Sequence, residues 1–226
     1  LGLEHKLISG LFTQVFPNGL VDVDNNIKHT ISYFSAAYQV SNLFDVELGL
    51  RAERYDNQKK FDELSPRFVA KYRLSSDENL KYATGKYVQF LHRIPRVFFT
   101  DIWTSSDVYQ NASHSIHHVL GYQKNFSDYS FEAEVYSKSY TNVYRFNKFT
   151  YRIEPDNTME NGNAIYTTSK GLFDRGDGNS QGIELFLRKE KGAILGTLGY
   201  SLAETEMKFD GINQGKSFSP RHDRTH

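Results

Sequence analysis

The sequence predicts an all-β fold, an antiparallel up-and-down transmembrane β-barrel of which this chain supplies only part, about nine or ten strands. Three observations lead to this prediction. Apolar and polar residues alternate over stretches close to the ~10 residues of a membrane-spanning strand. Short and long connections alternate along the chain. Aromatic residues make up 15% of the sequence, with 17 Phe and 15 Tyr.

The alternation is clearest in residues 44–54, FDVELGLRAER. Leu48 and Leu50 fall on one face of an extended chain, while Glu47 and Arg51 fall on the other face. A helix with 3.6 residues per turn would mix these two sets, so the pattern indicates a strand with one apolar and one polar face.

The same pattern predicts strands in four further segments, 67–74, 130–138, 182–189 and 193–203, and more weakly in 5–16, 28–40, 79–90 and 114–126. Charged residues recur in mid-strand on the polar face: Glu47, Arg51, Glu53, Arg67, Lys71, Lys81, Glu132, Glu134, Glu184 and Arg188. An Arg or Lys facing lipid at mid-membrane costs roughly 2–4 kcal/mol, so we expect these groups to face a polar lumen. A soluble sandwich with this face in water is the alternative.

The connections between these strands indicate which rim each one occupies. The short ones are 41–42, 75–78, 127–129 and 190–192, and the long ones are 17–27, 55–65, 91–113, 145–178 and 206–219. Strict alternation places all short turns at one rim and all long loops at the other. Bacterial outer-membrane barrels have this layout, with short periplasmic turns and long extracellular loops.

Composition excludes several other classes. The chain has no Cys, which removes disulfides, thiolate metal sites and Cys nucleophiles. Its formal net charge is +0, so no large basic field favours nucleic acid. A mean hydropathy of -0.58 is compatible with a barrel wall, because only every second residue of a strand meets lipid.

Several segments resemble the C-terminal barrel of TonB-dependent receptors, of the type associated with a carboxypeptidase-regulatory-like domain. The segments that carry the resemblance are VELGLRAERYD (46–56), LSPRFVAKYRLSSDENLKYATGKYVQFL (64–91), FFTDIWTSSDVYQNASHSIHHVLGYQKNF (98–126), FEAEVYSKSYTNVYRF (131–146) and GNSQGIELFLRKEKGAILGTLGYSLAETEMKFDGINQGKSFSPRHDRTH (178–226). Their order and spacing follow the family along residues 44–226.

The resemblance implies a multi-pass protein of the Gram-negative outer membrane that takes up a scarce nutrient, such as a siderophore or an oligosaccharide, with energy from the TonB complex. Barrels of this family have about 22 strands. We therefore expect residues 1–226 to be one incomplete barrel segment without a plug domain. Expected partners are the TonB complex, the nutrient and outer-membrane lipid, but no nucleic acid.

Aromatic residues in the long loops are the candidate ligand contacts, because aromatic rings around a lumen can stack on ligands. The candidates are Phe98, Trp103, Tyr109, Phe149, Tyr151 and Tyr166. They could equally form the interfacial girdle of a membrane barrel.

No catalytic residue, cofactor or metal site is predicted, and we expect the chain not to be an enzyme. The segment SHSIHH places His114 and His118 on one strand face and His117 on the other, and two ligands alone do not make a metal site. The alternative of an omptin-like outer-membrane protease would need paired Asp and His residues at the loop rim, for which Asp101, Asp107 and His114 are conceivable. A soluble β-structured binding domain is the third possibility.

Overall fold

A computed structural model of the chain describes residues 2–16, 19–94, 102–147, 157–158, 164–166 and 168–220, with side chains from Asn26 onward except at a few strand positions. The strands are β1 (Gly2–Phe16), β2 (Gly19–Ser41), β3 (Phe44–Asn57), β4 (Lys59–Arg73), β5 (Glu78–Gln89), β6 (Leu91–Ile94), β7 (Ile102–Ser105), β8 (Ser113–Asn125), β9 (Tyr129–Phe146), β10 (Asn157–Thr158), β11 (Ala164–Tyr166), β12 (Phe173–Lys189) and β13 (Gly196–Phe209). A short 3₁₀ turn, Asn213–Gly215, follows β13.

The strands form one eleven-stranded sheet and one separate hairpin, β6–β7. Nine of the eleven build an antiparallel meander in the order β1-β2-β3-β4-β5-β8-β9-β12-β13, and β11 adds β10 to the upper end of β2 by parallel pairing. Within the described ranges, β1 and β13 are the edges of this wall. The prediction of about nine or ten up-and-down strands, as an open part of a barrel, is confirmed. No helix in the described part of the chain is long and apolar enough to cross a membrane.

Cross-strand pairing joins apolar residues of successive strands into continuous rows on one face, which we call the outer face. One row runs through Tyr38, Val46, Ala70, Tyr82, Leu120, Val135, Ile183 and Leu202. Large apolar side chains of this face are about half exposed, for example Leu48 at 56% and Leu120 at 48%. So much exposed apolar surface on one face is typical of a wall that meets lipid.

The opposite face, which we call the inner face, carries the mid-strand charges. A row through Asp45, Lys71, Lys81, Gly121, Glu134 and Glu184 lies at the level of the apolar belt. Each of these residues stands next in sequence to a residue of the outer-face row, so its side chain lies on the opposite face of the sheet. The predicted separation of apolar and polar faces is therefore confirmed.

The predicted long loops at 17–27 and 55–65 are wrong. Residues from Gly19 belong to β2, which has 23 residues, and β3 and β4 continue to a tight turn at Gln58, whose φ is 60°. Above the apolar belt, both faces of a hairpin contact water or other protein segments. Apolar and polar residues therefore no longer alternate there, although the hydrogen bonds between the two strands continue. Sequence patterning therefore ended these strands too early.

The other connections differ less from expectation. The segment 91–113 is long but contains the β6–β7 hairpin, and 145–178 is shortened at both ends by β9 and β12. The last strand begins at Gly196 rather than at residue 193 and extends to Phe209, so 206–219 is loop only after that residue. Short turns still occupy one rim, as predicted.

The ladder between β4 and β5 stops at the pair Arg67–Gly85. The next residue of β4 is Pro66, which has no N–H to donate to a neighbouring strand. Beyond this point Glu63 bridges the gap, because its carboxylate oxygens lie 2.9 Å from Lys86 Nζ and 2.9 Å from His114 Nε2.

Candidate functional site

The β6–β7 hairpin folds over the inner face of the wall. Its cross-strand pair His92–Thr104 is buried, at 5% and 8% exposure. The neighbouring pair, Arg93–Trp103, points the opposite way and is exposed. Successive residues of a strand alternate faces, so one side of the hairpin packs against the wall and the other side is exposed.

Aromatic rings make the apolar part of this contact. The ring of Tyr55, on β3, stacks on the ring of Phe90, which leads into the hairpin, with centroids 4.4 Å apart and planes 4° apart. Phe61 of β4, Ile27 of β2 and Ala112 complete the cluster, and all five residues are buried. Burial of several large side chains at one place gives the hairpin a stable attachment to the wall.

Buried polar groups make a second set of contacts at the same place. Ser105 Oγ lies 2.9 Å from Tyr55 Oη and accepts a hydrogen bond of 2.6 Å from Asn57 Nδ2. The same amide group of Asn57 donates to the carbonyl oxygen of Ser106 at 3.1 Å. Burial is the main reason that the pKa of Tyr55 is raised, so its hydroxyl stays protonated. We call Tyr55, Asn57, Phe61, Phe90, His92, Ser105 and Ser106 together the inner cluster.

His92 connects the hairpin to β8 and β9. Its Nε2 lies 3.1 Å from Ser106 Oγ, its Nδ1 lies 3.2 Å from Ser113 Oγ, and its ring centroid is 4.9 Å from that of Tyr144. Burial lowers the pKa of His92 to about 4, and burial also raises the pKa of Tyr144 to about 12. Both side chains are therefore neutral at pH 7, and they join the hairpin to the wall by hydrogen bonds and packing.

Asp107 ties the hairpin to the connection between β9 and β12. Its Oδ1 accepts hydrogen bonds from the backbone N–H groups of Tyr109 and Gln110, at 2.7 and 2.8 Å. Its Oδ2 accepts a hydrogen bond of 2.5 Å from the hydroxyl of Ser169. Asp107 and Ser169 are both 4% exposed, so this contact fixes two long connections to each other inside the protein.

The predicted ligand contacts can be placed in part. Trp103 lies on β7 and Tyr109 in the following turn, and they are 54% and 48% exposed beside the inner cluster. Only the backbone of Tyr166 is described, on β11. Phe98, Phe149 and Tyr151 lie outside the described residues. Ligand contact by any of the six stays a prediction.

The histidine cluster is dispersed over different partners. His118 Nδ1 lies 2.9 Å from Tyr82 Oη, His114 bonds Glu63, and His117 packs against Tyr87 on the inner face. Among the described residues, no three His, Cys, Asp or Glu side chains lie close enough to bind a metal ion.

Asp107 and His114, which a protease would have to bring together, are engaged with separate partners. Asp107 is hydrogen bonded to Ser169, whereas His114 bonds Glu63. Asp101, the third residue of that alternative, lies outside the described residues, as do residues 221–226.

Sequence reasoning missed the inner cluster. The motif TSSD (104–107) entered only as part of the family resemblance, and Asn57 was placed in a loop. Burial of a polar residue is not predicted by the alternation of apolar and polar residues unless apolar residues recur around it at regular spacing. The periodicity of the sequence therefore could not predict that these polar side chains are buried.

Comparison with solved structures gives the same fold. The FrpB iron transporter from Neisseria meningitidis (F3-3 variant) has a TM-score of 0.57 and 13% identity over 82% of this chain and 27% of its own. The ferripyoverdine receptor of the outer membrane of Pseudomonas aeruginosa, bound to ferripyoverdine, has a TM-score of 0.57 and 12% identity over 88% of this chain and 25% of its own. FpvAI in its complex with pyocin S2 has a TM-score of 0.56 at 12% identity.

The chain has the fold of a barrel segment of an outer-membrane receptor. This agrees with the resemblance to TonB-dependent receptors seen in the sequence. The chain spans about a quarter of the length of the solved receptors it matches. No protein-family model and no curated protein matches the sequence.

Proposed function

We propose that this chain forms part of the wall and an inward-folded hairpin of a Gram-negative outer-membrane receptor that imports a scarce nutrient. We infer that the nutrient is a ferric siderophore, with an oligosaccharide as the alternative, and that the TonB complex supplies the energy. The observation that carries this proposal is a hairpin fixed by buried hydrogen bonds onto the inner face of a wall whose other face is apolar.

Two features support import rather than catalysis. The hairpin and the turn that follows it leave the aromatic side chains of Trp103 and Tyr109 exposed, where flat rings can contact a ligand. The buried carboxylate of Asp107 has its oxygens occupied by hydrogen bonds within the protein, which suits a structural role. The iron transporter and the ferripyoverdine receptor, which have the same fold, point to iron chelates as the first ligands to test.

The test is uptake of radioactive iron, supplied as a ferric siderophore, by iron-starved cells that produce the protein containing this chain. Cells lacking the gene serve as the reference. We expect accumulation that stops when a proton ionophore collapses the inner-membrane gradient, while binding to the cell surface persists. Gene-dependent accumulation that survives the ionophore would contradict TonB coupling, and the absence of both binding and accumulation for any ferric siderophore would contradict the proposed nutrient.

A matched pair of variants connects this result to the hairpin. Trp103→Ala removes an exposed ring beside the inner cluster, and Tyr129→Ala removes a 39% exposed ring at the rim of short turns. We expect weaker ligand binding only for Trp103→Ala. Equal binding by both variants would remove Trp103 from the ligand contacts.

A further inference from the structure

A groove of about 580 Å³ lies on the outer face of the wall, across strands β5, β8, β9, β12 and β13. Val135 and Ser137 of β9 lie in its middle, between the rings of Tyr82 and His118 on one side and Glu204 on the other. Small side chains between larger ones leave room for a ligand on this part of the wall. The volume falls within the roughly 300–1,000 Å³ of sites that bind small molecules.

The half of the groove nearer the short turns is apolar. Leu120, Val135, Ile183 and Leu202 line it, and all four belong to the outer-face row described above. Leu120 and Val135 are each about half exposed. This half is therefore continuous with the surface that meets lipid.

The half of the groove nearer the long connections is polar. Each of its residues lies two positions along its strand from a residue of the apolar row, and so on the same face: His118, Ser137, Gln181 and Glu204. At the same level, Phe68 of β4, which pairs with Thr84 of β5, still continues the apolar surface. The border between apolar and polar surface thus runs through the groove, which suits an amphipathic molecule.

The polar half offers hydrogen-bonding groups without a fixed positive charge. Tyr82 Oη lies 2.9 Å and Thr84 Oγ1 3.1 Å from Nδ1 of His118, which leaves Nε2 of that ring to a ligand. Gln181 Nε2 donates a long hydrogen bond of 3.5 Å to Oε2 of Glu204. Among the described residues that line the groove, none is Lys or Arg and Glu204 is the one carboxylate. A carboxylate repels a phosphate but accepts hydrogen bonds from hydroxyl groups, so the polar half favours a headgroup rich in hydroxyls.

We propose that this groove binds a glycolipid of the surrounding membrane. One acyl chain lies on the apolar half, along Leu120 and Ile183. The sugar hydroxyls donate hydrogen bonds to Glu204 and exchange hydrogen bonds with Ser137 and Gln181. Glycolipid binding requires only that the outer face meets lipid, so it does not depend on which nutrient is imported.

The test is photolabelling of the protein containing this chain, in bilayers of synthetic phosphatidylcholine. Three probes carry the same diazirine-bearing acyl chain and differ only in their headgroup: a diglucosyl diacylglycerol, a phosphatidylglycerol and a phosphatidylcholine. Mass spectrometry of proteolytic fragments locates the labels, and residues 44–50 of β3 give the reference labelling of each probe. Relative to this reference, we expect the glucosyl probe to label the strands around Leu120, Val135 and Ile183 about tenfold more than either phospholipid, a ratio that roughly one or two hydrogen bonds produce.

Four variants connect the preference to the groove. Ser137→Phe fills the middle of the groove and should remove the preference for the glucosyl probe. Ala36→Phe is the matched control, because it adds the same ring to the outer face of β2, opposite Leu48 and outside the groove. Gln181→Leu should lower the preference without changing labelling by the phospholipids. Glu204→Lys replaces the carboxylate by a cation and should shift the preference to the phosphatidylglycerol probe.

The outcomes decide between possible occupants. Equal relative labelling by the three probes, or stronger labelling by a phospholipid, would overturn the site in the unmodified protein, whatever the variants do. A groove that no probe labels, while residues 44–50 are labelled, would mean that another protein segment covers it and would also overturn the site. A glucosyl preference that Ser137→Phe retains would place it elsewhere on the wall. A preference that Ser137→Phe abolishes and Ala36→Phe keeps would support the site, even if no siderophore is imported.

Discussion

The lower wall and the inner cluster belong to the same strands but are stabilised in different ways. In the lower wall, residues 44–50 of β3 and the segments paired with them, side chains alternate between an apolar outer face and a charged inner face. In the inner cluster, only a few residues further along β3, Tyr55 and Asn57 are almost completely buried under a hairpin.

This difference determines what a substitution does. In the lower wall the decisive property is the face, because a residue meets either lipid or the polar lumen. In the inner cluster the decisive property is the individual partner, since Ser105 serves both Tyr55 and Asn57 and few other side chains would fit. The wall thus tolerates exchange within a class of residues, whereas the cluster does not.

The largest expected effect is that of Tyr55→Ala. It removes the ring stacked on Phe90 and the hydroxyl bonded to Ser105, and loss of a large buried ring costs about 3–5 kcal/mol. We expect the hairpin to become sensitive to proteases in intact vesicles and the denaturant midpoint of the protein in detergent to fall.

Tyr55→Phe is the matched control, because it keeps the ring and removes one hydrogen bond. Its expected cost is about 1 kcal/mol, as Asn57 still bonds Ser105. If the two variants unfold at the same denaturant concentration, ring packing is not what holds the hairpin.

The lower wall should respond to the face alone. Leu48→Arg places a charge on the outer face and is expected to cost about 2–4 kcal/mol, depending on depth. Glu47→Arg, one residue away on the inner face, should change little. The measurement is the folding equilibrium in lipid vesicles, and equal costs for the two substitutions would contradict the assignment of the faces.

The lower wall could be predicted from sequence because its physical rule is local. The face of each side chain can be read from a single strand, because side chains of an extended chain alternate with a period of two. Examples are Leu48 and Leu50 on one face and Glu47 and Arg51 on the other. The number of strands and the rim of short turns follow from the same repeat.

The inner cluster could not be predicted in this way. Its hydrogen bonds join Tyr55 and Asn57 to Ser105 across separations of 50 and 48 residues. Polar residues such as Ser105 are ordinarily expected at the surface, and only their distant partners make burial favourable. The full length of the β3–β4 hairpin was not predicted either. Its upper part has no lipid-facing side, so apolar and polar residues do not alternate there.

The last expected effect is a pH dependence confined to the inner cluster. The pKa of His92 is about 4 in the folded hairpin, below its ordinary value of 6.5. Between these two pH values the released hairpin binds a proton that the folded form excludes. Stability is therefore complete above pH 6.5 and declines as the pH falls toward 4, by at most about 1.4 kcal/mol per pH unit.

His92→Gln separates this effect from the titration of other groups, because glutamine can donate and accept hydrogen bonds but does not titrate. The protection factors of the amides of Thr104 and Ser105, corrected for the intrinsic exchange rate at each pH, should fall between pH 7 and pH 4.5 more in the parent protein than in the variant. Amides of residues 46–48 should show no such difference between the two proteins. If the two proteins differ equally in both regions, the wall and the inner cluster open together. The two regions would then differ in the chemistry of their contacts but not in their stability.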